Sequence, residues 1–247
     1  MPGIKSVTVY CGSAPGSDPS YLKLAANLGK AIAARGWRTV YGGGDVGLMG
    51  AVATNARDAG GKVLGVMPHF LRDLEGVLDG IENRYTDNMH QRKQALLDEA
   101  DGLIVLPGGI GTLEEAVETL SWAKLSLHRK PMAFLSENNY WQPYFHLIDH
   151  MIEGGFLPES FLQLMADTNS PEAAARIAAE AAGDASSSTI CTSRWLLSPS
   201  GTVWKPKWVV LSEACVIGCC LYVVRFELYR SGQKENRLPQ ERLRWGV

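Results

Sequence analysis

The run Leu103 to Glu115, LIVLPGGIGTLEE, constrains the fold more than any other segment of the chain. An apolar run that ends in Pro-Gly-Gly predicts a parallel strand leaving the sheet at its carboxyl edge, where open α/β sheets bind ligands. We expect Gly108, Gly109 and Gly111 to take positive φ and to let the backbone approach an anion, with the amides of the next helix pointing at it. The segment therefore predicts a phosphate-binding turn.

The helix after this turn is predicted to begin at Thr112, which leaves two interpretations of Glu115. Thr112 and Glu115 have the spacing of a capping box, in which the two side chains bond each other's backbone amides. Alternatively, the Glu115 carboxylate stands beside the ligand. The motif alone leaves both open.

A second unusual segment lies upstream, where Arg92 and Lys93 occur early in a helix predicted from Met89 to Ala100. Its spacing puts both cations on or beside the apolar face. The helix dipole also disfavours cations near the helix start. Either both side chains extend to water, or they face an anionic ligand, for which a guanidinium is well suited.

Short apolar runs alternate with amphipathic ones along residues 4 to 182, as repeated βα units require. The predicted fold is a Rossmann-like, doubly wound parallel sheet flanked by helices. Three glycine-rich turns, at 11–16, 41–50 and 107–111, each follow a predicted strand. They should therefore gather at one edge of the sheet. Strands are predicted at 6–11, 39–41, 62–67, 102–106 and 132–135, with weaker candidates at 82–85 and 162–166, and helices at 20–35, 47–59, 89–100, 112–126, 140–153 and 171–181.

Composition favours a globular protein. Of the 247 residues, 46% are hydrophobic and 20% charged, and the formal net charge of −2 gives no general attraction to nucleic acid. The first strand begins near Ile4 with no leader pattern before it, so we expect a cytoplasmic protein without membrane contact. Cys11 is the only cysteine before residue 183, and without a histidine partner it is better interpreted as a small buried side chain than as a nucleophile.

The chain changes character at Gly183. The last 65 residues hold four of the five cysteines, four of the seven tryptophans, nine basic residues and five acidic ones. Helical and strand periodicity fade here. Cys215, Cys219 and Cys220 fit no zinc-binding spacing, so no metal is predicted. We expect two parts, an enzyme domain at 1–182 and an atypical, poorly ordered extension at 183–247.

Four segments in order carry a resemblance to a known family. Met89-His-Gln-Arg-Lys93 and the run Pro107-Gly-Gly-x-Gly-Thr-x-x-Glu115 resemble the signature pair of the Lonely Guy family, and the segments 11–16 and 41–50 agree with it. These proteins are cytokinin riboside 5′-monophosphate phosphoribohydrolases, often labelled lysine decarboxylases. The resemblance covers about residues 4 to 182.

The resemblance implies that Arg92 and Glu115 are the catalytic pair and that the enzyme is a homodimer using no cofactor. Asp73 and Ser121 stand where the family often has Glu and Thr, and the shorter Asp73 side chain puts its contact in doubt. The substrate-binding residues expected in this way are Ser13, Gly43, Gly44, Asp73, Met89, Lys93, Gly108, Gly109, Ile110, Gly111, Thr112, Leu113, Glu114 and Ser121.

Two function classes follow from these residues. Cleavage of an N-glycosidic bond passes through an oxocarbenium-like sugar, which Glu115 would stabilise while Arg92 holds the ribose or base. The predicted reaction releases adenine or an N6-substituted adenine from its nucleoside 5′-monophosphate. The alternative is a non-catalytic carrier of a phosphorylated nucleotide or cofactor, which needs the glycines but neither charged residue. The sequence leaves open whether a prenylated or a plain base is preferred.

Overall fold

A parallel seven-stranded sheet forms the centre of the protein in the computed structural model, which describes residues 6–72 and 76–180 and the backbone of three short strands beyond them. The strand order is β4-β3-β2-β1-β5-β6-β7. Chain order reverses between β1 and β5, which creates the crevice at which such sheets bind ligands. The strands are β1 Ser6–Tyr10, β2 Arg38–Tyr41, β3 Val63–Pro68, β4 Glu82–Thr86, β5 Gly102–Val105, β6 Met132–Leu135 and β7 Met165–Thr168.

In the described part of the chain, six helices cover the two faces of this sheet. They are α1 Pro19–Ala34, α2 Gly47–Asp58, α3 Met89–Asp98, α4 Ile110–Lys124, α5 Gln142–Glu153 and α6 Pro171–Glu180, with short 3-10 helices at His69–Leu71 and Glu159–Leu164. Apolar residues of α1, α2 and α6 pack on one face, and those of α3, α4 and α5 on the other. Both faces are therefore buried, which explains why the central strands are apolar on both sides.

The two faces of the sheet, with the helices packed on them, form two hydrophobic cores. Successive side chains of a strand point to opposite faces and so belong alternately to the first and the second core. Val7 and Val9 of β1 face α1 and α2, whereas Tyr10 faces α4. Thr8 also faces the second core, where its hydroxyl donates to the Leu96 carbonyl at 2.6 Å. This hydrogen bond satisfies a buried hydroxyl and joins the sheet to α3.

The predicted doubly wound sheet is confirmed, and several element boundaries differ from the prediction by one to three residues. The last strand was expected at 162–166, but residues 159–164 form a 3-10 helix and β7 starts at Met165. An apolar run packed against the core has no periodicity that separates these two forms. The helix expected from Thr112 starts two residues earlier, at Ile110, because Gly109 is its N-cap.

The final helix of the sheet unit begins as its sequence predicts, with Pro171 in its first turn and Ser170 as its cap. The Ser170 hydroxyl accepts from the Ala173 amide at 3.3 Å. Ala174 and Ala178 of this helix are fully buried on the sheet. Residues 6–180 thus cover both sheet faces with their own helices.

Beyond residue 180, three short strands form an antiparallel sheet, β8 Leu196–Leu197, β9 Val203–Lys207 and β10 Glu227–Arg230. The predicted boundary at Gly183 and the cysteines of the extension lie outside the described residues, so the two-part organisation stays a prediction. No helix in the described part of the chain is long and apolar enough to cross a membrane.

Candidate active site

The three glycine-rich turns meet at the carboxyl edge of the sheet, as expected, and enclose a pocket of about 280 Å³. It lies over β1 and β5, at the reversal of strand order. Its walls are the turn after β1, the start of α2, the first turn of α4 and one buried ion pair between α3 and α4. The lining residues are Val9, Tyr10, Cys11, Gly12, Ser13, Gly42, Met49, Arg92, Gly109, Ile110, Gly111, Thr112 and Glu115.

Two of the glycines are needed because neighbouring side chains lie very close to their Cα atoms. A Cβ at Gly108 would stand 2.1 Å from Thr112 Oγ1, and one at Gly42 would stand 2.2 Å from the Arg92 guanidinium. By contrast, a Cβ at Gly109 or Gly111 would meet nothing within 4 Å. At those two positions, the small residue leaves room for a ligand against the backbone.

The start of α4 corrects two sequence expectations. Gly108, Gly109 and Gly111 do not take positive φ; Gly109 has φ −87°. Thr112 and Glu115 form no capping box, because the N-cap is Gly109 and no side chain caps this helix. The first amides of α4 therefore have no side-chain partner at the cap and lie at the pocket wall, where an anion would satisfy them.

Arg92 is buried, with 8% of its side chain exposed, although it belongs to the first turn of α3. Its Nε donates to the Val66 carbonyl at 3.2 Å and its NH2 donates to the Gly42 carbonyl at 3.4 Å. These carbonyls lie at the carboxyl ends of β3 and β2. The guanidinium is thus oriented by the sheet backbone, and the interpretation in which Arg92 extends to water is wrong.

The third guanidinium nitrogen of Arg92, NH1, lies 3.3 Å from Glu115 Oε1, and 10% of the Glu115 side chain is exposed. A buried ion pair contributes little net stability, because the cost of desolvation offsets the attraction between the charges. Both members line the pocket. The pair is therefore better explained by what it does to a ligand than by stability.

Lys93 points away from this pair. Its Nζ lies 2.6 Å from Glu114 Oε1 and 2.8 Å from Glu118 Oε2, both on α4. The hydrogen bonds that Lys93 donates to these two carboxylates raise the pKa of Lys93. Neither Lys93 nor Glu114 is among the pocket-lining residues, so their predicted contact with the nucleotide stays untested.

The structure brings Ser13, Gly109, Ile110, Gly111 and Thr112 into the pocket with the ion pair. Other expected binding residues lie at its margin or away from it. Ser121 is exposed and donates to the Val117 carbonyl at 2.8 Å. Asp73 lies outside the described residues. The remaining expected residues that do not line the pocket are Gly43, Gly44, Met89, Gly108 and Leu113.

Sequence reasoning missed five lining residues, Val9, Tyr10, Gly12, Gly42 and Met49. Cys11, expected as a buried side chain, is indeed 7% exposed and lies at the pocket wall. Burial raises the pKa of its thiol, and Glu115 raises it further, so the sulfur stays protonated and a poor nucleophile. Instead, a side chain caps α3, where Asn88 Oδ1 accepts from the Gln91 amide at 2.9 Å. Gln91 Oε1 accepts from the amide of Asp87, one residue before the cap, at 3.0 Å. The signal of this cap was the Asn88 and Gln91 spacing.

Comparison with known proteins finds a matching family model and similar sequences. The model of a family described as possible lysine decarboxylase matches residues 49–177, more than half of the chain. A cytokinin riboside 5′-monophosphate phosphoribohydrolase of Rhodococcoides fascians is 45% identical over 158 residues, which are 63% of this chain and 80% of that protein. The chain belongs to the Lonely Guy family. A second Lonely Guy relative, the enzyme LOG of Oryza sativa subsp. japonica, is 43% identical over 63% of this chain and 64% of its own length.

A solved structure shares the fold at lower identity. The molybdenum cofactor binding protein of Rippkaea orientalis is 24% identical with a TM-score of 0.52, over 68% of this chain and 91% of that one. This likeness concerns the fold alone.

The decarboxylase description does not fit the residues of the pocket. Decarboxylation with pyridoxal phosphate needs an unprotonated lysine that forms a Schiff base. No described residue of the pocket wall is a lysine. The nearby Lys93 is held between two carboxylates that raise its pKa, which favours the charged ammonium.

Proposed function

We propose that this Lonely Guy protein hydrolyses the N-glycosidic bond of an adenosine 5′-monophosphate, plain or N6-substituted, to give the free base and ribose 5-phosphate. The observation that carries the proposal is the buried Arg92 and Glu115 pair in a pocket that the start of α4 also lines. The backbone amides of the α4 start suit a phosphate, and the Glu115 carboxylate suits a developing positive charge.

Phosphate binding is assigned to the backbone of the α4 start. The amides of Ile110, Gly111 and Thr112 occupy the first turn after the Gly109 cap, and the positive end of the helix dipole lies there. Binding energy from the phosphate, which does not react, then positions the ribose for cleavage. Nucleosides without the phosphate are therefore expected to be poor substrates.

Glu115 is assigned to the ribose. As the bond between C1′ and the base nitrogen breaks, the base takes the electron pair and C1′ becomes cationic. The carboxylate stabilises that cation and orients a water for attack, and the water's oxygen becomes the new hydroxyl at C1′. One water proton goes to the departing base, so the reaction balances as nucleotide plus water giving base plus ribose 5-phosphate.

Arg92 is assigned to the base and ribose. Two of its nitrogens bind backbone carbonyls, so the guanidinium holds one orientation without ligand. Its charge stabilises electron density on the leaving base. Preorganised charges of this kind cost no reorganisation during the reaction.

Base release from AMP, isopentenyl-AMP and adenosine, followed by chromatography, tests the proposal. We expect free base from at least one nucleotide and kcat/KM for adenosine lower by about a hundredfold or more. Equal turnover of adenosine and AMP would remove the phosphate assignment. Tight nucleotide binding with no base released from either nucleotide would favour a carrier function.

The proposal includes a cytoplasmic homodimer with the pocket near the subunit interface, as family membership suggests. Ile110 at the pocket rim is 83% exposed in the single chain, and Val117 and Leu125 of the same helix are also exposed. Burial of such apolar side chains favours association. Size-exclusion chromatography with light scattering measures the subunit number, with a mass of two chains expected.

A further inference from the structure

A tyrosine behind the phosphate-binding turn makes a contact that catalysis as proposed does not use. The Tyr140 hydroxyl donates to the Gly108 carbonyl at 2.6 Å. The preceding carbonyl, of Pro107, accepts from the Gly12 amide at 3.1 Å. Two consecutive carbonyls of the turn are therefore held by partners, one from the loop after β6 and one from the turn after β1.

The Gly108 hydrogen bond controls which way the following amide points. The carbonyl of Gly108 and the amide of Gly109 belong to one trans peptide, in which the two groups point in opposite directions. When Tyr140 holds the carbonyl on its own side, the Gly109 amide faces the opposite side, and Gly109 lines the pocket. A flipped peptide would turn a carbonyl oxygen toward an anionic ligand, which repels it.

Glycine makes such a flip easy, so the turn needs an external restraint. Gly108 and Gly109 are consecutive, and glycine populates both signs of φ at little cost. The N-cap position of α4 also lacks a side chain that would fix the loop. Tyr140 supplies that restraint from outside the turn.

The segment that presents Tyr140 is itself strained and tied down. Asn138 and Asn139 have φ of 52° and 59°, a conformation that non-glycine residues seldom adopt. Asn138 Nδ2 donates to Asp18 Oδ2 at 2.9 Å, at the cap of α1. The Tyr140 ring packs edge-on against Tyr21 with centroids 5.6 Å apart. Strained backbone of this kind persists where the surrounding contacts hold it, and it clusters at functional sites.

We propose that Tyr140 is a positioning residue for phosphate binding, which holds the Gly108–Gly109 peptide so that its amide faces the phosphate. This rests on the proposed function only in taking the α4 start as the phosphate site. Tyr140 touches neither the reacting bond nor the Arg92 and Glu115 pair. Its removal should therefore weaken binding through the phosphate and leave the chemical step intact.

The test is Tyr140→Phe, which removes one oxygen and keeps the ring against Tyr21. Tyr144→Phe is the matched control, because Tyr144 lies in the same aromatic cluster but packs in the core under Phe134. Binding of ribose 5-phosphate by calorimetry is measured for both variants and the wild type, with thermal midpoints to verify folding. Steady-state kinetics with AMP then separates KM from kcat.

We expect Tyr140→Phe to weaken ribose 5-phosphate binding and raise KM by about tenfold, as loss of one well-placed hydrogen bond predicts, while kcat changes by less than about twofold. Tyr144→Phe should bind as the wild type does. The proposal would be overturned if Tyr140→Phe bound ribose 5-phosphate as the wild type does, if both variants were weakened equally, or if only kcat fell. It would also be overturned if the wild type bound no ribose 5-phosphate. A wild type that binds it but releases no base refutes the hydrolase function and leaves this test intact.

Discussion

Two ion-pair clusters join α3 to α4, and they differ although their residues are neighbours in sequence. Arg92 pairs with Glu115 inside the pocket, with 8% and 10% of the side chains exposed. Lys93 pairs with Glu114 and Glu118 outside it, where 50% of the Glu114 side chain is exposed. Successive residues of a helix point about 100° apart, so consecutive cations and consecutive carboxylates separate into an inner and an outer pair.

The comparison shows that charge alone does not identify which residues line the pocket. The outer cluster has the shorter contacts, at 2.6 and 2.8 Å against 3.3 Å. Its charges pair with one another while partly exposed to water. Ion pairs of this kind contribute only modestly to stability. The inner pair is desolvated, has the looser contact and faces an open pocket. A ligand in the pocket can therefore contact the inner pair without first breaking a tight salt bridge.

The largest expected effect comes from neutralising the inner carboxylate. Glu115→Gln should lower kcat by on the order of a hundredfold or more, because the charge beside the oxocarbenium ion is lost. Since Glu115 is not a capping residue, the variant tests its charge rather than a helix cap. Glu118→Gln, which neutralises a carboxylate of the outer cluster on the same helix, is the control and should keep kcat within about twofold. Similar losses in both variants would erase the distinction between the clusters.

A smaller effect is expected from the outer cation. Lys93→Met should raise KM for the nucleotide at most about threefold and reduce the free energy of unfolding by about 1 kcal/mol or less, the range of partly exposed ion pairs. Steady-state kinetics and urea unfolding measure the two quantities. A tenfold or greater rise in KM would mean that Lys93 leaves its carboxylates to bind substrate, as the family resemblance implied.

A pH effect should follow from His128, which contacts the second half of α4 at Thr119. Its Nε2 lies 2.9 Å from the Thr119 carbonyl and its Nδ1 accepts from the Lys130 amide at 3.1 Å. Burial lowers the pKa of His128 below the ordinary value of 6.5, so the unfolded chain binds the proton more readily than the folded one. The neutral ring makes its full contribution to the free energy of unfolding above pH 6.5. This contribution is lost as the pH falls from 6.5 through the lowered pKa.

Urea unfolding of the wild type and His128→Gln at pH 7 and pH 5 tests this. The wild type should lose more free energy of unfolding between the two pH values than the variant does. His146→Gln, on the exposed face of α5, is the control and should follow the wild type. An identical pH dependence in His128→Gln and the wild type would refute the assignment.

The smallest expected effect is that of removing the extension. Both clusters and both cores are built from residues before 181, and α6 already covers the sheet with Ala174 and Ala178. We expect truncation after Ala182 to keep the dimer, the thermal midpoint and the activity, and to improve solubility by removing four cysteines and four tryptophans. Light scattering, calorimetry and the base-release assay measure the three properties. Loss of fold or activity would make residues 183–247 part of the enzyme.

The sequence by itself determined the sheet, the order of its elements and the meeting of the three turns. Alternating apolar and amphipathic runs depend on local periodicity, and parallel strands have their carboxyl ends on one edge. The cap at Ser170 was also readable, because Ser followed by Pro has one common meaning at a helix start. These features need only neighbours along the chain.

Only the tertiary structure decided which charges face the ligand and how the turn is held. Arg92 enters the pocket because carbonyls of β2 and β3 accept from it, and Lys93 faces outward because two carboxylates of α4 receive it. The Thr112 and Glu115 spacing looked like a cap, but Gly109 starts the helix earlier. Tyr140 reaches Gly108 across 32 residues, through a backbone conformation at two asparagines that no periodicity reveals. Such contacts depend on distances between segments remote in sequence, and these distances exist only once the sheet has formed.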